Sequence, residues 1–293
     1  MKLYIRAMIF TLKRIPMSTF PADTQLIERR SNSTWRRSRL AVFFFAIMVF
    51  PMPVVSFAEP FDFTEWGSLL KRYVKPHVID NIQLNAVDYG RLKIDPGFSR
   101  LIGGLEKFAP SGLKSHEEKM AFWINVYNIF AVKKVVDHHP LESIRDVGNF
   151  FKPVWKRLAG VVGGREYTLH EIEHEILRKM REPRIHVAIV CASVSCPDLS
   201  KEVLKAETLD VQLDVQMKMF LENPGKGMRV DAGRKRVYLS PIFDWFEEDF
   251  EPRGGVLQFL QPYVSAEARK LLKSPAVRVS YLEYNWRVNE LLP

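Results

Sequence analysis

The chain holds two cysteines, and both lie in one stretch, Arg184-Ile185-His186-Val187-Ala188-Ile189-Val190-Cys191-Ala192-Ser193-Val194-Ser195-Cys196-Pro197. A thiol attacks or binds as its thiolate, so its chemistry depends on whatever lowers its pKa. Cys196 precedes Pro197, and proline is favoured at the first position of a helix. A helix opening there would set Cys196 at its positive end, which makes Cys196 the candidate nucleophile. Two cysteines in an exported chain equally suit a Cys191–Cys196 disulfide, and a third reading leaves both as inert buried thiols.

A nucleophile needs a base. Residues 185–190 read as a buried strand, on which His186 and Cys191 face opposite ways, roughly 16 Å apart at ~3.3 Å per residue. His186 therefore reaches Cys196 only if the loop folds back along the strand. His174, on a helix predicted over 168–181, is better placed, with Glu173 or Asp249 to orient it. Histidine precedes cysteine in this chain, and no known triad signature is matched.

His170-Glu171-Ile172-Glu173-His174 satisfies the zinc-hydrolase pattern of two histidines one turn apart with a glutamate after the first. Thr168 and Glu171 also have capping-box spacing, which would turn the Glu171 carboxylate to the helix start rather than to a metal. Zinc hydrolysis through His170 and His174 thus ranks third, and no metal or other cofactor is assigned. Asn125 and Asn128 lie at i and i+3 in an apolar helix beside Trp123, Tyr127 and Phe130. Buried amides must be hydrogen-bonded, so they either fasten a neighbouring loop or donate to a developing oxyanion. With Trp245 they form the candidate binding residues. Asp249, beside Phe250 in an aromatic-rich segment, is the acid singled out.

These residues need positioning elements. Asp62-Phe63-Thr64-Glu65 has capping-box spacing ahead of Trp66, Leu69, Leu70 and Tyr73, which predicts an amphipathic helix. Residues 78–89 read as a strand or extended connection, and 96–108 as a helix. Ser115-His116-Glu117-Glu118 opens the longest helix, to about residue 136. Gly163-Gly164 between two β-type runs predicts a hairpin within 155–167. Helices are predicted over 208–221, 241–250 and 256–272, and strands over 236–239 and 277–284. No repeat, low-complexity tract or linker divides residues 59–293, so a single domain is expected.

The formal net charge of +9 is concentrated at the front of the chain. Residues 1–58 hold 9 of the 43 basic and 2 of the 34 acidic residues, leaving a net of only +2 for the rest. No basic face is implied, which argues against nucleic acid. Arg36, Arg37 and Arg39, the apolar run of residues 40–50, and Ser56-Phe57-Ala58 read as the three parts of an export signal cleaved after Ala58. The long region ahead of Arg36 suggests that the true start lies downstream of Met1. The expected location is exported and periplasmic, an oxidising envelope compartment, with no stable membrane anchor once the signal is cleaved. The partner is an unidentified envelope substrate or protein.

Six blocks occur in order: residues 121–128 (AFWINVYN), 172–178 (IEHEILR), 183–186 (PRIH), 195–197 (SCP), 244–250 (DWFEEDF) and 284–289 (YNWRVN). Together they resemble domain-of-unknown-function family 547, over about residues 78–293. The resemblance implies no reaction. Bacterial members share the thiol block, whereas some plant relatives lack the cysteine before the proline. Asn285 stands where the family usually has aspartate, so a carboxylate role is absent there. The expected fold is α+β, one compact domain of several helices packed on a small mixed sheet. The leading functional expectation is a thiol-dependent hydrolase or acyl transferase, with Cys196 as nucleophile, His174 or His186 as base, and Glu173 or Asp249 orienting it. Its alternative is a non-catalytic envelope binding or scaffold domain held by a Cys191–Cys196 disulfide.

Overall fold

Ser115 accepts the Glu118 N–H through its hydroxyl, and the Glu118 carboxylate accepts the Ser115 N–H in return. This capping box starts the helix His116–His138, whose residues from Met120 to Val132 are buried on every side. A helix apolar all round belongs in the middle of a structure, and the main core is built around this one. The computed structural model describes residues 60–149 and 151–292. The expected export signal and downstream start fall outside the described residues.

In chain order the elements are α1 (Thr64–Tyr73), β1 (Val74–Ile79), β2 (Ile82–Val87), α2 (Tyr89–Ile94), α3 (Pro96–Lys107) and α4 (His116–His138). Then come β3 (Leu158–Val162), β4 (Arg165–Thr168), the π-helical α5 (Glu171–Leu177), α6 (Leu209–Glu222), β5 (Met228–Asp231) and β6 (Arg236–Leu239). The chain ends with α7 (Ile242–Trp245), α8 (Glu247–Phe250), α9 (Val256–Leu260), α10 (Ala266–Leu272) and β7 (Arg278–Tyr281). The fold is α+β, as expected. Its strands form two hairpins, β1–β2 and β3–β4, and a mixed sheet of order β5-β6-β7 in which β6 and β7 run parallel. A second core of Val187, Met217, Phe220, Val237, Phe243 and Phe250 lies under that sheet and its helices. No helix among the described residues is long and apolar enough to cross a membrane.

Both hairpin turns require left-handed backbone. Gly163 and Gly164 have φ of 56° and 76°, and Asp80 and Asn81 have φ of 50° and 62°. Two consecutive positive φ values fit the two-residue turns that match strand twist. The second turn has no glycine, which is why residues 78–89 read only as extended chain.

Two expectations around the cysteines are overturned. Residues 185–190 are not a strand: Pro183–Val187 is a 3-10 helix, followed by irregular chain. Glu182 caps it by accepting the Arg184 N–H, and Arg184 is held in turn by Glu182, Asp210 and Asp214. Nor does a helix open at Pro197, because residues 197–205 are irregular. That segment is tied to β2 instead: Asp198 accepts the Asn85 N–H at 2.7 Å, and the Asn85 amide donates to the Leu199 carbonyl at 3.0 Å. The His186–Cys191 separation argued from strand geometry and the helix-end activation of Cys196 both lapse with these elements.

Candidate functional site

The loop that carries the thiols is fixed from two sides. From α4, the Asn128 amide donates to the Ala188 carbonyl and accepts the Val190 N–H, both at 2.9 Å. Asn125 does the same farther along, donating to the Leu204 carbonyl at 2.8 Å and accepting its N–H at 3.2 Å. Both amides are thus committed to backbone. From the other side, residues 285–289 pair with the loop. Val194 donates its N–H to the Arg287 carbonyl at 2.8 Å, and Asn289 donates to the Ala192 carbonyl at 3.2 Å. The Asn289 side chain is itself held by the buried Tyr89 hydroxyl at 2.8 Å.

Between these clamps the chain turns sharply. Ala192, directly after Cys191, is buried with φ of 57°. Left-handed backbone costs a residue with a Cβ about 1–2 kcal/mol and persists only where the surroundings enforce it.

Cys191 and Cys196 are both free thiols in different settings. Cys191 retains some solvent access, and its Sγ lies 3.0 Å from the Ser193 hydroxyl and 3.1 Å from that of Tyr284. Burial pushes the Cys191 thiol up, but hydrogen bonds from Cys196, Ser193 and Tyr284 outweigh it and bring the group down to about 7. Cys196 is buried, and its Sγ accepts the Cys191 N–H at 2.7 Å. Burial, reinforced by the hydrogen bond and charge of Cys191, drives the Cys196 thiol well above its ordinary value.

The acid–base groups lie on α5 and its neighbours. A π-helix is rare and recurs at functional sites. Glu173 accepts the Tyr127 hydroxyl at 3.2 Å. Burial raises its carboxyl to about 7, against the Tyr127 bond and the Arg178 charge; the Cys191 charge pushes the same way as burial. The next residue, His174, accepts from the Arg178 guanidinium through Nδ1 at 2.8 Å. Since arginine has no acceptor, the ring proton sits on Nε2. Burial first, then the positive neighbours His170 and Arg178, lower His174 to about 4, so it is neutral at pH 7.

Arg178 also grips Asp249 with both prongs, Nε to Oδ2 at 2.6 Å and Nη2 to Oδ1 at 2.8 Å. Asp249 accepts a further bond from His186 Nε2 at 2.6 Å, and the His186 ring stacks on Phe246 at 4.0 Å. Burial lowers His186 more than Asp249 raises it, so the ring is neutral and Arg178 is the cation that balances the carboxylate. Burial works against ionisation of Asp249, but His186 and Arg178 hold it down to about 2. Left over is His186 Nδ1, buried with no partner.

Of the predicted residues, His174, Asp249 and His186 thus join one hydrogen-bonded network through Arg178, whose charge also acts on Glu173. Cys191 enters the same electrostatic field through Glu173, and Cys196 lies beneath it. Trp245 stands at the edge, stacked on Trp286 at 5.7 Å and tilted against Tyr284 at 4.8 Å. His170 and His174 do share a face, with ring centroids 4.3 Å apart. Glu171 is paired with Arg165, and its N–H is accepted by Thr168. Among the described residues no group of three or more His, Cys, Asp or Glu is arranged to hold a metal ion.

Sequence reasoning missed Arg178, Tyr127, Ala192, Ser193 and Tyr284. Arg178 was accessible, since it follows His174 by one helical turn. Tyr284, 93 residues from Cys191, carried no local signal.

No curated protein and no solved structure matches the chain. Residues 110–221 match a family model; they include both asparagines, Tyr127, Glu173, His174, Arg178 and both cysteines, but not Asp249 or Tyr284. Over that segment the chain is similar to the family described as "Protein of unknown function, DUF547".

Proposed function

We propose that the protein is a thiol-dependent hydrolase or acyl transferase whose nucleophile is Cys191. The observation that carries this reading is the setting of Cys191, a half-buried residue whose sulfur has two hydroxyls within 3.1 Å and is eased toward the thiolate. Cys196, the expectation from sequence, is less suited because burial keeps it protonated. In the proposed cycle the Cys191 thiolate attacks an acyl carbon. Glu173, which exchanges protons near neutrality, protonates the departing group. Water, deprotonated by the Glu173 carboxylate, or a second nucleophile then releases the acyl group from sulfur. Arg178, Asp249, His186 and His174 hold α5 and Glu173 in place. Export to the periplasm and an envelope substrate remain part of this proposal and rest on the leader alone. Nucleic acid and a stable membrane anchor have no part in it.

The test uses p-nitrophenyl acetate as acyl donor and iodoacetamide as alkylating probe on the reduced native protein at pH 7. The expected result is a burst of nitrophenol with an acetyl adduct mapped to Cys191, and alkylation at Cys191 that survives Cys196→Ser. An adduct on Cys196 would return the nucleophile to that residue. Inert thiols in the folded protein would sink the reading and favour the non-catalytic alternative.

A further inference from the structure

The acyl-transfer reading uses Cys191 and gives no task to Cys196, the second thiol set against it. Cys196 Sγ is 2.7 Å from the Cys191 nitrogen, so the buried sulfur lies against the backbone of the residue that carries the other thiol. The loop between them is already closed, clamped by Asn128 at Val190 and by Arg287 at Val194, so no element need unfold. The two cysteines are also unlike, one half-buried and one buried. An accessible thiolate backed by a buried thiol is the arrangement that converts a transient sulfenic acid into a disulfide before further oxidation.

We propose that Cys191 is a hydroperoxide-reactive modification site and that Cys196 is its resolving thiol. The Cys191 thiolate attacks the terminal peroxide oxygen, an S–O bond forms and the O–O bond breaks. The sulfur loses two electrons to the peroxide, and the departing alkoxide or hydroxide takes up a proton from solvent. Ser193 and Tyr284, both already at the sulfur, are placed to donate hydrogen bonds to the peroxide oxygens as charge moves between them. The Cys196 thiol then attacks the sulfenic sulfur, an S–S bond forms, and the hydroxyl leaves as water with the Cys196 proton. A dithiol reductant reverses the disulfide by exchange. Oxidation would withdraw Cys191 from acyl chemistry.

The inference rests on Cys191 being the reactive thiol, but not on any acyl substrate. The full reduced chain is treated with hydrogen peroxide and read by intact mass and peptide mapping. The wild type should lose two hydrogens, lose both iodoacetamide sites and recover them with dithiothreitol. Cys196→Ser should instead trap a dimedone-reactive sulfenic acid at Cys191, and Cys191→Ser should stay unmodified at the same dose. The proposal is overturned if the wild type keeps both thiols under peroxide, or if it accumulates sulfenic acid without closing the disulfide. The wild-type arm needs no substitution, so a variant that fails to fold leaves the test intact. A protein that forms the acetyl adduct on Cys191 yet ignores peroxide defeats this inference alone.

Discussion

Tyr284→Phe isolates the hydrogen bond on which the reactivity of Cys191 depends. Phenylalanine keeps the ring that packs against Trp245 and Trp286, at 4.8 Å and 4.5 Å, and deletes only the hydroxyl 3.1 Å from the sulfur. A hydrogen bond to a charged group contributes about 1.5–3 kcal/mol. At about 1.36 kcal/mol per pKa unit, its loss raises the Cys191 midpoint by roughly one to two units above about 7. Burial, which opposes the thiolate, remains in place. The rate at a single pH understates the change. A shift of about one unit cuts the thiolate at pH 7 roughly fivefold, but a more basic thiolate is about threefold more nucleophilic, leaving a net loss of about twofold. The informative assay is therefore the whole pH profile of iodoacetamide alkylation from pH 5 to 10, with the label mapped to Cys191. The profile should move up by about one unit or more while its plateau rises. A midpoint unchanged within a few tenths of a unit would show that Tyr284 does not stabilise the thiolate and would refute the reasoning.

Two further outcomes follow from the same geometry. Asn128→Ala strands the Ala188 carbonyl and the Val190 N–H in the interior, at about 1–3 kcal/mol for each unpaired group. The melting temperature should fall by on the order of 10 °C, and the Cys191 midpoint should rise as its loop loosens; a neutral variant by calorimetry would mean that the amide is dispensable. Glu173→Gln tests linkage. Its carboxyl is raised from 4.5 to about 7 on folding, so the folded state holds the extra proton between those values and stability falls as pH rises across that window. The variant does not titrate, and urea unfolding should find it gaining on the wild type from pH 4.5 to 8, by up to about 3 kcal/mol. An equal difference at both pH values would contradict the raised carboxyl.

What the sequence made legible was local. The Ser115–Glu118 box announced α4, and paired glycines announced the β3–β4 turn, because cap and turn chemistry is complete within four residues. The amides of Asn125 and Asn128 were legible too, since a buried amide in an apolar helix has to bond something. The thiol loop was not. Val187, Ile189 and Val190 look like a strand by composition, but Asn128 has already taken the backbone groups that a strand partner would need. Short apolar runs do not reveal who claims their backbone. The likeness of Cys196 to a helix start failed for a similar reason, since Asp198 and Leu199 are held by Asn85, 113 and 114 residues earlier.

The choice between the two cysteines turns on hydrogen-bond direction, which spacing cannot express. Cys196 is buried, so ionising it would place a charge where solvent cannot follow, and burial with the hydrogen bond and charge of the Cys191 side chain outweighs the Cys191 N–H that its sulfur accepts. Cys191 receives donors, and its charge acts on Glu173, the other group that titrates near pH 7. Each of these charges raises the cost of the other. Near pH 7 the pair therefore favours a single negative charge, with either a thiolate beside a protonated carboxyl or the reverse. The first of these forms is a nucleophile paired with an acid, the state that acyl transfer requires. The second leaves a thiol beside a base, which returns to the first by moving one proton. Glu173→Gln separates these roles. It removes the competing charge, so the Cys191 midpoint should move down and alkylation should persist, while turnover of an acyl substrate should fall for want of a proton donor. A variant that kept full turnover would show that the carboxyl does no more than share the field.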